Sequence, residues 1–113
     1  MRKIIDKKIY DTKTSTELAG MTNGRNCTDF TYYEASIYQT KKGNLFLFEE
    51  GGAMSKMAID LGNNSTGGSA DIRALDKYEA YEIVATWHEA GEIDAEEMLT
   101  ACRELGISEP LEA

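Results

Sequence analysis

His88 is the only histidine of the 113-residue sequence, and that restricts the chemistry on offer. An imidazole base works with a nucleophile on one side and an orienting group on the other. No Ser/His/Asp or Cys/His set can be assembled around one imidazole among Ile83, Val84 and Trp87. Near the end of a helix, its partial positive charge suits the dipole. Cys27 and Cys102 lie far apart without C-x-x-C spacing, so they read as two reduced thiols. Gly51-Gly52 followed by Ser55-Lys56 invites comparison with a phosphate loop, but the G-x-x-x-x-G-K-[ST] spacing is absent. No EF-hand, HExxH or glycine-rich nucleotide signature occurs. No enzyme, metal or cofactor is expected, and the residues point to a binding protein.

Charge is the stronger signal. The net charge is -8, unevenly placed: residues 1–70 hold nine Lys/Arg against eight Asp/Glu, and residues 71–113 hold three against twelve. Such an acidic block repels nucleic acid and speeds association with a basic partner. The candidate partner-binding residues are Glu89, Glu92, Asp94, Glu96, Glu97 and Glu104, for which the plain alternative is a solvated helical face. Arg2, Lys3, Lys7, Lys8 and Lys13 form a basic N-terminal set that could serve a nucleic-acid-binding regulator. They carry no interleaved stacking aromatics, so direct nucleic-acid binding is not expected.

The elements that must position these side chains are organised around a hairpin, Ser36 to Gly52. Its β-branched and aromatic residues flank Lys41-Lys42-Gly43-Asn44, where Gly43 supplies the positive φ of a type I turn with a following bulge. Leu45, Phe46, Leu47 and Phe48 are apolar on both faces, which predicts a central strand covered by helix on at least one side. Arg2 to Tyr10 reads as an N-terminal hairpin around Asp6-Lys7. Thr14 and Glu17 have the form of a capping box, which predicts a short helix ending near Gly20. A second short helix is predicted from about Ser55 to Leu61, then a polar loop, Gly62 to Ser69, and a strand, Asp71 to Leu75. Asp76 with Glu79 caps a helix stopped by Gly91, its face formed by Ala80, Ile83, Val84 and Trp87. The last helix runs from Asp94 to before Gly106 with a stripe of Ala95, Met98, Leu99, Cys102 and Leu105. Trp87, Ile83 and Val84 are expected on Leu45, Leu47 or Phe46. The expected fold is one α+β domain, 1–113: an antiparallel sheet with a central hairpin covered by C-terminal helices. Residues 1–75 are mainly β with short helices, 76–106 are two acidic helices, and 107–113 are a tail.

At 42% hydrophobic residues the composition is that of a globular protein. No apolar run approaches the roughly 20 residues of a membrane span, and Met1-Arg2-Lys3-Ile4-Ile5 is followed by charges, so no membrane partner is expected and the cytoplasm is the expected location.

Three stretches together carry a resemblance: Lys3 to Thr14 ("K-I-I-x-x-K-x-Y-D-T-x-T"), Tyr38 to Leu47 ("Y-x-T-K-K-G-x-x-F-L") and Glu50 to Lys56 ("E-G-G-A-x-S-K"), followed by Gly62-Asn63-Asn64-Ser65. In that order they resemble a family of small accessory proteins encoded on conjugative elements, plasmids and phages of Gram-positive bacteria. The resemblance covers roughly residues 3 to 75. The chain departs from the commoner pattern at Asp6-Lys7, where Asn-Gly is more usual, and at Phe48-Glu49, where His-Gly is frequent. Members include inhibitors of type II-A CRISPR systems. The resemblance therefore implies an anti-CRISPR role in the cytoplasm of a bacterial host, with an effector nuclease, with or without its guide RNA, as the protein partner. A non-inhibitory accessory protein of the mobile element is a further possibility.

Overall fold

The structure of the protein, a computed structural model, describes residues 1–26, 28–62, 65–108 and 110, with Ser65 described by its backbone alone. In chain order the elements are β1 (Arg2–Ile5), β2 (Lys8–Asp11), β3 (Thr16–Thr22), β4 (Tyr33–Gln39), β5 (Leu45–Gly51), β6 (Ile59–Gly62), β7 (Ser65–Gly67), β8 (Ser69–Leu75), α1 (Lys77–Glu89) and α2 (Ala95–Leu105). The main sheet is antiparallel with strand order β3-β4-β5-β8, while β1-β2 and β6-β7 are separate two-stranded ribbons. With both helices packed on the sheet, the fold is α+β, as expected from the sequence.

The central hairpin closes as its sequence dictates. The Thr40 N–H donates to the Asn44 carbonyl at 2.8 Å and the Gly43 N–H to the Thr40 carbonyl at 2.9 Å, with Gly43 at φ 89°. The bond pair sets the register Gln39↔Leu45, Ile37↔Leu47 and Ala35↔Glu49. Alternation then sends Ala35, Ile37, Leu45 and Leu47 to one face, where they meet Leu75, Ala80, Val84, Met98, Ala101 and Cys102. Phe46 goes to the other face and cannot be a partner of α1, which corrects that part of the expectation. It is fully buried there by Tyr10 and Ile72, edge-on to Tyr10 at 5.5 Å and stacked on Tyr38 at 5.2 Å. The ribbon β1-β2 thus covers part of the back of the sheet. Lys3 anchors it, donating to Asp71 Oδ1 at 2.7 Å and to the Ile72 carbonyl at 3.2 Å.

Two short helices expected within 1–75 are strands or turns instead. Residues 16–22 pair with the edge of β4, burying Ala19. Thr12, Thr14 and Thr16 are poor helix formers, and ladder bonds to β4 outweigh one capping box. Between Ser55 and Leu61 the chain makes a turn, with the Met57 N–H donating to Ser55 Oγ at 3.1 Å, before Ile59 pairs with Gly67. The predicted loop 62–69 consequently contains β7 and the start of β8; its Asn63 and Asn64 lie outside the described residues. Cys27 does also, whereas Cys102 is buried in the core.

The two helix starts follow the sequence. Asp76 Oδ1 accepts the Glu79 N–H at 2.8 Å and Glu79 Oε1 accepts the Asp76 N–H at 3.2 Å, a complete capping box. Asp94 accepts the Glu97 N–H at 2.8 Å, and Gly106 ends α2 at φ 71°. The buried stripe of α2 is Met98, Ala101, Cys102 and Leu105, so Ala95 and Leu99, expected inside, are exposed. Beyond it Ile107 packs against the core, which shortens the expected tail; Glu109 and 111–113 lie outside the described residues.

Candidate functional site

The back face of the sheet is only partly covered by β1-β2, and the uncovered part is acidic. In the β4–β5 register Glu34 stands directly opposite Glu50, two half-buried carboxylates on one face. Like charges placed so destabilise a sheet by roughly 0.2–1 kcal/mol. Among the described residues neither has a cationic partner. Glu34 also lines an open groove of about 430 Å³ with Glu17 from β3, Glu92 from the turn between α1 and α2, and Glu97 from the first turn of α2. The Tyr38 phenol in this groove is held above its ordinary value by burial first, then by the charges of Glu17 and Glu34. The groove can receive guanidinium or ammonium groups, which would relieve the repulsion.

Of the acidic residues singled out from sequence, Glu92 and Glu97 line this groove. Asp94, Glu96 and Glu97 line a smaller adjoining hollow of about 210 Å³ with Leu18 and Thr100. Asp94 is engaged as the N-cap of α2. Glu89 and Glu104 are exposed but line neither hollow. Glu17, Glu34 and Glu50 were not singled out. Glu17 stood in the predicted helix, and Glu34 and Glu50 become neighbours only through the hairpin register.

On the helix side of the sheet a second cleft of about 420 Å³ lies between α1 and β5, bounded by Leu47, Ile83 and Trp87. Here the Tyr33 hydroxyl donates to Glu49 Oε2 at 2.6 Å. Lys56 Nζ reaches the same carboxylate at 3.0 Å and lies 4.8 Å from the centre of the Tyr33 ring. Burial raises the Glu49 carboxyl, but hydrogen bonds from Tyr33 and Lys56 and the charges of Lys56 and Arg73 leave it below its ordinary value. Burial, then the bond to Glu49, pushes the Tyr33 phenol up, and the bond to Tyr33 contributes most to raising Lys56. These three groups satisfy one another, so they stabilise the cleft wall more than they offer a reactive atom. Arg73 is paired with Glu79 at 3.2 Å.

The Gly51-Gly52 pair has a packing reason. A Cβ on Gly52 would lie 2.6 Å from the Phe30 carbonyl oxygen and 2.7 Å from that of Asp29. The Gly52 N–H donates to the Tyr32 carbonyl at 2.8 Å, and the loop before β4 is thereby held against the end of β5. Among the described residues no group of three or more His, Cys, Asp or Glu side chains is placed to hold a metal ion, and no helix is long and apolar enough to cross a membrane. Comparison with protein-family models, with curated proteins and with solved structures found no match.

Proposed function

We propose that this chain is a non-enzymatic, protein-binding inhibitor whose acidic groove occupies a basic surface built for phosphate. The observation that carries the reading is the unrelieved Glu34–Glu50 pair, whose Glu34 lines a groove with Glu17, Glu92 and Glu97. A free protein keeps such a pair at a cost in stability, and a partner's cations turn that cost into binding energy. The motif resemblance supports the choice of partner, a type II-A RNA-guided nuclease in the bacterial cytoplasm. Such a nuclease holds guide and target in positively charged channels, so carboxylates set on a rigid sheet compete there with phosphates.

The test separates binding from folding. Glu34→Gln removes the like-charge opposition, so the isolated protein should become more stable by roughly 0.2–1 kcal/mol in urea unfolding. The same variant should bind the nuclease at least about tenfold more weakly, a loss of about 1.4 kcal/mol, in calorimetry with and without guide RNA. Unchanged binding of Glu34→Gln, or no complex between the parent protein and the nuclease, overturns the reading.

A further inference from the structure

The tertiary structure also assembles a basic site that no single stretch of sequence contains. The turn of β1-β2 and the turn of β4-β5 meet at one end of the molecule, where an open groove of about 500 Å³ is lined by Lys7, Lys8, Lys41, Lys42, Thr40 and Asn44. All four lysines are exposed, and among the described residues none takes part in an ion pair. Lys8 Nζ makes one long bond, 3.4 Å, to Asn44 Oδ1. The other N-terminal cations are engaged differently: Arg2 pairs with Asp11 at 3.3 Å and Lys3 with Asp71 at 2.7 Å. Lys7 stands at φ 66°, a left-handed conformation that costs a lysine more than a glycine. The chain thus carries a cation where its turn favours glycine.

We propose that this groove binds the phosphodiester backbone of a nucleic-acid duplex. Four unpaired ammonium groups supply the point charges that phosphates require, and Thr40 and Asn44 add neutral polar groups. No aromatic ring lines the groove, so it lacks the stacking platform on which unpaired bases are held. A duplex keeps its bases stacked and presents only phosphates to such a surface. The acidic groove between β3, β4 and α2 draws on other residues, and its repulsion of nucleic acid is screened beyond about 10 Å at 0.1 M salt.

The experiment is fluorescence anisotropy of a labelled duplex of about 20 base pairs titrated with the intact protein, the same-length single strand and a poly-glutamate peptide serving as alternative probes. Binding of the duplex should weaken with salt along a log–log slope of about -3 to -4, as four phosphate contacts require. Lys41→Glu/Lys42→Glu and, separately, Lys7→Asn/Lys8→Glu should each lower affinity more than tenfold and roughly halve the slope. Both pairs lie in exposed turns, and matched melting temperatures check their folding. Arg25→Glu is the control. It lies in the loop before β4, at the opposite end of that strand from the groove, and should change binding less than twofold. Absence of duplex binding at about 50 mM salt, tighter binding of the single strand or of poly-glutamate, or folded double variants that bind like the parent would each overturn the proposal.

Discussion

The bond from Tyr33 to Glu49 shows how a single pair fixes local energetics. Tyr33→Phe removes a donor to a largely covered carboxylate, and a cost of about 1 kcal/mol is expected at neutral pH. The folded-state value of Glu49 lies below its unfolded one, so its stabilisation is present above the ordinary carboxylate range and lost as pH falls through the lowered value. The deficit of Tyr33→Phe should therefore shrink in urea unfolding as pH falls below the ordinary carboxylate range and through the lowered value of Glu49, and a deficit independent of pH would deny Glu49 this role. Gly52 makes a different point, since its constraint is steric. Gly52→Ala forces a methyl into two carbonyl oxygens and should cost about 1–3 kcal/mol, read as a lowered melting temperature.

At the scale of elements, β5 couples two cores. Its even residue Phe46 joins Tyr10 and Ile72 behind the sheet, while Leu45 and Leu47 join α1 and α2 in front. Phe46→Ala empties a fully buried site and should cost about 3–5 kcal/mol. Trp87 is only half-buried at the rim of the α1 cleft, so Trp87→Ala should cost less despite its larger side chain. Denaturant unfolding of both variants checks the order, and a larger loss at Trp87 would place the weight of the core on α1 alone.

For the whole molecule, the sign of charge is segregated: lysines gather at the joined hairpin turns and carboxylates on the back face and the start of α2. Replacing Glu17, Glu34, Glu92 and Glu97 by lysine should slow association with the nuclease proposed as partner far more than replacing Glu89 and Glu104. The difference should narrow at high salt, because ions screen the field that steers encounter. Stopped-flow association rates at two salt concentrations measure it, and equal effects of the two sets would return the carboxylates to the role of a solvated surface.

The sequence by itself determined the features whose causes are local. Asp76 with Glu79, Asp94, Gly91 and Gly106 specify both helices because capping bonds span three or four residues, and Gly43 specifies the central turn because the φ it needs is its own. Thr14 and Glu17 show the limit of such reading: the pattern was a capping box, but the edge of β4 offered the backbone a full ladder, and pairing across the sheet won. The same non-local pairing decided both charged sites. Glu34 and Glu50 are 16 positions apart and Lys7 and Lys41 farther still, so their encounters depend on strand register and on the docking of β1-β2 behind β5. Charge counts along a chain carry the sign and amount of charge; only the folded sheet decides which charges face one another, because register converts sequence separation into distance.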